Sequence, residues 1–113
     1  MNDGERIERW LRELAATLQA AAGLAARGED AFRNDPALPL AFEALSNRVG
    51  DLSKRLTRAD PDRFSNSAWR AAARHRDFVV HHYGALDHDL LWSTVVDSFP
   101  RLAELVRVQL DQA

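Results

Sequence analysis

The hydrophobic positions of the chain recur with the spacing of amphipathic helices. Between Glu5 and Arg27, apolar residues return every three or four positions, which places them on one face of a helix. These residues are Ile7, Trp10, Leu11, Leu14, Leu18, Ala21, Ala22 and Ala25. The pattern predicts a first long helix with one face in a hydrophobic core.

A second helix is predicted from the turn residues near Pro36 to about Leu56. The sequence Asn34-Asp35-Pro36 is typical of a helix start, because Asn and Asp cap free N–H groups and proline fits the first turn. The inner face of this helix carries Leu38, Ala41, Leu45, Val49, Leu52 and Leu56.

Two more helices are predicted in the second half of the chain. The third spans Ser67 to Tyr83, between capping residues at 65–67 and Gly84, which suits the position after a helix end. The fourth starts at Asp87, and its apolar positions are Leu90, Leu91, Val95, Phe99, Leu102, Leu105 and Val106. Pro100 is expected to kink or break it, because proline donates no backbone hydrogen bond.

These patterns predict an all-α protein with the fold of an up-and-down four-helix bundle. The length of 113 residues suits one domain over residues 1–113, since a chain of this size supports a single core. Apolar residues make up 46% and charged residues 28% of the chain, as in a globular protein. The β-branched cluster Val95-Val96 lies inside a helical pattern.

Composition excludes several kinds of chemistry. The chain has no cysteine, which removes disulfides, thiolate nucleophiles and cysteine-ligated zinc. Charged residues alternate through the first ten positions, and no apolar stretch approaches membrane-spanning length, so a cytoplasmic protein without a membrane contact is expected. The segment from Arg63 to Arg76 holds four arginines and no acidic residue. It is either a positive patch or an ordinary solvated helix face.

Arg76 is the least ordinary residue of the third helix. At 100° per residue, it falls in the middle of the apolar sector formed by Trp69, Ala72, Ala73, Val80 and Tyr83. An unpaired buried charge is costly, so the guanidinium is expected to have an anionic partner. That partner is either a carboxylate, with Asp51 a candidate, or a phosphate bound in a cleft. Both interpretations are open and are compatible with each other.

The histidines near the end of this helix are candidates for proton transfer. Asp77 precedes His81 by one helical turn and is placed to orient its imidazole. The alternative is that His81 and His82 interact only with the helix dipole. His75 and His82 share a face but are two turns apart, and no third ligand is placed beside them, so no metal site or cofactor is predicted.

The segment around these residues resembles the signature Arg-x4-His-x-Tyr of HEPN-domain toxins, in the HepT-like branch that pairs with minimal nucleotidyltransferase antitoxins. The matching residues are Arg76 and His81-His82-Tyr83. Further matches are the glycine–acid pair Gly50-Asp51, Trp69 seven residues before Arg76, and Leu91-Trp92. The chain departs from the family pattern at Asp77, which replaces asparagine, at Ala68, which replaces proline, and at Asp51, which replaces glutamate.

The resemblance implies a HEPN-like bundle that forms a homodimer and cleaves RNA without a metal. Arg76 and His81 would be catalytic, with support from Asp51, Asp77 and His82. Tyr83 would contact RNA and be the residue that the nucleotidyltransferase antitoxin AMPylates. Two alternatives stay open: a non-catalytic module that binds a nucleotide or a partner, and a plain helical dimerisation domain.

Overall fold

The hydrophobic patterns correspond to helices in the computed structural model, which describes residues 2–81 and 87–112, with side chains described for 2–74 and 87–112. Before the gap, the helices are α1 (Asp3–Ala25), α2 (Glu29–Asn34), α3 (Ala37–Ala59) and α4 (Ser67–His81). After it come α5 (His88–Ser93), a π-helical segment (Thr94–Ser98) and α6 (Phe99–Asp111). The described part of the chain contains no strand, which confirms the prediction of an all-α fold.

Polar side chains cap the N-termini of α1, α4 and α5. The side-chain oxygen of Asn2 accepts a hydrogen bond from the backbone N–H of Glu5 at 2.8 Å, and that of Asp87 accepts one from Leu90 at 3.0 Å. Asn66 accepts one from the backbone of Ala68 at 2.9 Å. Each bond satisfies an N–H group that the first helical turn leaves free. The predicted caps at residues 66 and 87 are therefore confirmed.

The core lies between α1, α3, α4 and α6. Helix α3 packs against α1 on one flank and α4 on the other, and α1 also packs against α6. The largest fully buried side chains include Leu11, Leu14, Phe42, Leu56 and Trp69. At about 1.5–3 kcal/mol for each large apolar side chain, this burial is the main stabilising contribution. Trp69 meets Phe64 edge to face at 5.0 Å and so fixes the start of α4.

Helix α2 is not predicted by the sequence pattern. It has six residues, too few for hydrophobic periodicity, and Gly28 starts it with a φ of 97°, which glycine adopts without strain. Its single buried residue is Phe32, which lies 4.8 Å from Phe42 and 5.3 Å from Trp92, centroid to centroid. The short helix is therefore held by aromatic contacts to α3 and α5.

The predicted break in the last helix begins before Pro100. The backbone N–H of Phe99 donates to the oxygen of Thr94, five residues earlier, and closes the π-helical segment. Pro100 lies in the first turn of α6, where its missing N–H costs least. The break lies on the N-terminal side of the proline because residue 100 cannot donate to the preceding turn.

A membrane-spanning segment is not found among the described residues. No helix within them combines the length and the apolar character that crossing a bilayer requires.

Candidate functional site

Helix α4 carries the residues that are predicted from the sequence to be catalytic. Its helical backbone extends to His81 and includes Arg76 and Asp77. On an α-helix, five residues separate Arg76 and His81 by about 7.5 Å along the axis and by roughly 140° around it. The side chains of these three residues lie outside the described part of the structure, as do all atoms of His82 and Tyr83. Their roles stay predictions.

A stripe of small residues on α3 is buried on the flank away from α1. Arg48 and Arg55 mark the flank of α3 that faces α1, where they contact Thr17 and the ring of Trp10. Ser46, Gly50 and Ser53 are buried on the other flank, against which α4 packs. Side chains this small let two helices approach closely.

A short connection, residues 60–66, joins the packed helices α3 and α4. Gly50 lies nine residues before the end of α3 at Ala59, and Arg76 lies nine residues after the start of α4 at Ser67. Both helices rise about 1.5 Å per residue, so Gly50 and Arg76 lie about equally far from the connection, each along its own helix.

Asp51 does not lie in the apolar core. Its side chain is 49% exposed, and its Oδ2 atom is 3.1 Å from a guanidinium nitrogen of Arg55, one turn later on α3. An exposed ion pair at this spacing contributes only about 0.3–0.5 kcal/mol. Any further ion pair made by this carboxylate would remain in contact with water, unlike the buried pair considered from the sequence.

A groove of about 690 Å³ separates the first half of α4 from α6 and the π-helical segment. Its apolar wall is formed by Ala68, Ala71, Ala72, Phe99, Leu102 and Leu105. Asn66, Ser67 and Ser98 add polar groups, and Arg74, Arg101 and Glu104 are its charged residues. The sequence pattern does not predict this groove, because the groove depends on how far apart two non-consecutive helices are held.

The charge of this groove is positive. Arg74 and Arg101 are exposed, and neither forms an ion pair within the described part of the chain. Glu104 is bonded to Arg107 on α6, and this hydrogen bond lowers the pKa of its carboxyl group below the usual value. The carboxylate is therefore charged but compensated, which leaves two arginines to determine the local potential.

The described arginines of the basic segment, Arg63, Arg70 and Arg74, do not form one continuous patch. The Nε atom of Arg63 donates to the side chain of Gln109 at 2.5 Å, and its guanidinium lies 5.3 Å from the ring centroid of Phe64. Arg63 thus ties the connection between α3 and α4 to the end of α6. Arg70 reaches the backbone oxygen of Ser65 at 3.5 Å, and of the segment's arginines with described side chains, Arg74 is the one that lines the groove.

A metal site is not present among the described side chains, since no three histidine or carboxylate groups there are arranged to share an ion. His75, His81 and His82 are outside that set. The absence of a metal site and of a cofactor at the end of α4 stays a prediction.

Comparison with known proteins shows to which family the chain belongs. The sequence model of the family described as Ribonuclease HepT-like matches residues 11–108. The chain belongs to this family. The match includes α3, α4 and α6, so it covers both walls of the groove and the segment that resembles the HepT-like signature.

Three similar proteins carry related names. One, "Putative RNase TTE0752" of Caldanaerobacter subterraneus subsp. tengcongensis, is 28% identical over 76 residues, which are 67% of this chain and 68% of the relative. "Putative RNase MJ1380" of Methanocaldococcus jannaschii is 25% identical over 68% of this chain and 71% of its own. "Putative RNase MJ0127" of the same organism is 25% identical over 63% of this chain and 59% of its own. No solved structure matches the chain.

Proposed function

We propose that this HepT-like chain is a metal-independent endoribonuclease and the toxin of a toxin–antitoxin pair. The observation that carries the proposal is the placement of Arg76 and His81 five residues apart on the helical backbone of α4, in a chain of this family. The names of the three relatives support the same class of reaction.

The chemistry of the two residues suits cleavage of an RNA strand. The ribose 2′-oxygen attacks the neighbouring phosphorus, and the bond from phosphorus to the 5′-oxygen breaks. One imidazole takes the proton of the 2′-hydroxyl, and a second imidazole gives a proton to the leaving 5′-oxygen. The guanidinium of Arg76 stabilises the extra negative charge on the phosphorane. The products carry a 2′,3′-cyclic phosphate and a 5′-hydroxyl.

A homodimer supplies the second imidazole. Histidine has an unperturbed pKa of about 6.5, so one copy of His81 is present as base while the other is present as acid near neutral pH. The pair provides both proton transfers, and Arg76 provides the positive charge, without a bound metal ion. Asp77, one turn before His81, orients the imidazole, and His82 and Asp51 are supporting residues.

The partner of this toxin is a nucleotidyltransferase antitoxin that attaches AMP to Tyr83. The group adds a phosphate close to the site where RNA must bind. Negative charge and bulk at that position exclude the RNA backbone, which explains neutralisation in physical terms.

Cleavage of RNA in the presence of EDTA tests the ribonuclease proposal. The purified chain is expected to cut single-stranded RNA into products with 2′,3′-cyclic phosphate ends, and RNA with a 2′-deoxy sugar at the cleavage position is expected to stay intact. Cleavage only after metal is added back contradicts metal independence. Binding of RNA or nucleotide without any cleavage favours the non-catalytic binding module.

Mass spectrometry tests the modification. Incubation with ATP and a nucleotidyltransferase encoded beside this gene is expected to add the mass of AMP to Tyr83 and to stop cleavage. Tyr83→Phe is the matched control, because it removes only the hydroxyl group that receives AMP. A mass gain on the Tyr83→Phe protein contradicts this assignment.

A further inference from the structure

The groove between α4 and α6 is open and carries two arginines. It has a volume of about 690 Å³. Helix α4 packs closely on α3 but touches α6 only sparsely, so the groove lies along the less covered flank of the helix that carries Arg76 and His81.

The arginines of this groove differ from most others on the surface. Those on α1, α2 and α3 largely pair with carboxylates: Arg6, Arg12, Arg33, Arg48 and Arg55 each form an ion pair. On α6, Arg107 is bonded to Glu104 and Asp111. Arg74 and Arg101 lie on opposite walls of one groove and have no such partner among the described residues.

We infer that this groove binds the backbone of the single-stranded RNA substrate, with one phosphate held by Arg74 and another by Arg101. This inference rests on the proposed ribonuclease function and adds the path by which the strand reaches the site. Arg74 precedes His81 by seven residues, which places the two positions about 20° apart around α4 and about 10.5 Å apart along its axis. A strand in the groove therefore passes along the side of the helix that carries the proposed catalytic histidine.

The composition of the groove favours a single strand of nucleic acid. Guanidinium groups are well suited to phosphate because they are planar, always charged and weakly hydrated. The apolar lining between them has small side chains on α4, namely Ala68, Ala71 and Ala72, and larger ones on α6. Such a wall leaves room for unpaired bases. The one carboxylate among the described residues of the groove, Glu104, is bonded to Arg107, so it opposes the strand little.

Salt dependence of RNA binding provides the test. For a complex with single-stranded RNA, removing one arginine that binds a phosphate reduces the slope of log K against log salt concentration by about 0.7. The double variant Arg74→Gln/Arg101→Gln is therefore expected to lower the slope by about 1.4. When salt rises from about 50 to 200 mM, both proteins lose affinity, and the fold-loss of the variant should be about seven times smaller than that of the parent protein.

Fluorescence anisotropy with a labelled single-stranded RNA measures this slope on the full chain. The His81→Ala protein serves as the parent, since it is expected to bind RNA without cutting it. The control is Arg9→Gln/Arg27→Gln, which removes two exposed arginines that form no ion pair in the described residues and lowers the net charge by the same amount.

The inference is supported if the groove variant weakens binding and reduces the slope while the control keeps the parent's values. Equal slopes for the two variants overturn it. Loss of the dimer in the groove variant, with RNA binding unchanged, assigns the groove to a second copy and also overturns it. Failure of the wild-type chain to cut RNA rejects the proposed function separately, because the slopes report binding alone.

Discussion

Helix α4 has two flanks that are built in different ways. Towards α3, the boundary is closely packed: Trp69 of α4 is 1% exposed, and Ser46, Gly50 and Ser53 of α3 are buried. Towards α6, a groove lined by Ala68, Ala71 and other small residues remains open. One flank fixes the position of the helix and the other leaves it accessible. A helix that must present reactive groups to a large substrate needs both properties.

Removal of the packed aromatic side chain is expected to have the largest effect. Trp69→Ala should reduce the free energy of unfolding by about 3–5 kcal/mol, because it deletes the anchor of α4 and leaves a cavity. Urea unfolding followed by circular dichroism measures the change. Leu40→Ala is the control, since Leu40 is 61% exposed, and it should change stability by less than about 0.5 kcal/mol. Equal losses for the two variants would show that α4 is not anchored here.

A larger side chain at Gly50 tests the closeness of α3 and α4. Gly50→Leu is expected to destabilise the fold by about 1–3 kcal/mol, because the added atoms enter a packed boundary. The control is Gly23→Leu on α1, where an added Cβ atom meets nothing within 4 Å. That change should stabilise the fold by up to about 1 kcal/mol, since glycine is a poor helix former. The prediction fails if both changes stabilise.

Filling the open flank should separate binding from stability. Ala71→Leu adds bulk to the groove at an exposed position of α4 and should change the free energy of unfolding by less than about 0.5 kcal/mol. It is expected to weaken RNA binding in the anisotropy assay, because the strand loses space. Unchanged RNA affinity together with unchanged stability would count against a ligand in the groove.

The smallest expected effect concerns the carboxylate of the groove. Arg107 lowers the pKa of Glu104, so this pair adds slight stability that is present above the unfolded-state pKa and is lost as pH falls through the lower, folded-state pKa. An NMR titration should place the pKa of Glu104 below the ordinary glutamate value of 4.5. In Arg107→Gln, the pKa should return towards that value. A titration unaffected by this change would contradict the compensation of Glu104.

Much of the helical fold is contained in the sequence pattern. The predicted first helix, Glu5 to Arg27, corresponds to Asp3–Ala25, and Asp87 caps α5 as expected. Periodicity and caps act over a few residues, so they can be read from one segment at a time. Helix α2 escapes prediction because it is shorter than two turns and depends on Phe32 meeting two distant rings.

The sequence likewise predicts one part of the candidate site and misses another. The resemblance selects Arg76 and His81 from their spacing, and the helical backbone of α4 is consistent with that choice. Arg101 carries no signal in the sequence, because its significance comes from facing Arg74 across a groove between two helices that are far apart in the chain. Local sequence patterns do not specify how far apart α4 and α6 lie, because that distance is set by the packing of the whole fold.

The central claim is that Arg76 and His81 on α4 cut RNA. The most direct test compares initial rates of RNA cleavage in EDTA for the wild-type chain, Arg76→Ala and His81→Ala, each purified in the same way. We expect each variant to lose at least about 10²-fold in rate, which is typical for loss of a general acid–base or a charge-stabilising group, while its urea midpoint and its oligomeric state remain those of the wild type. Equal rates for all three proteins would point to a contaminating nuclease and contradict the account.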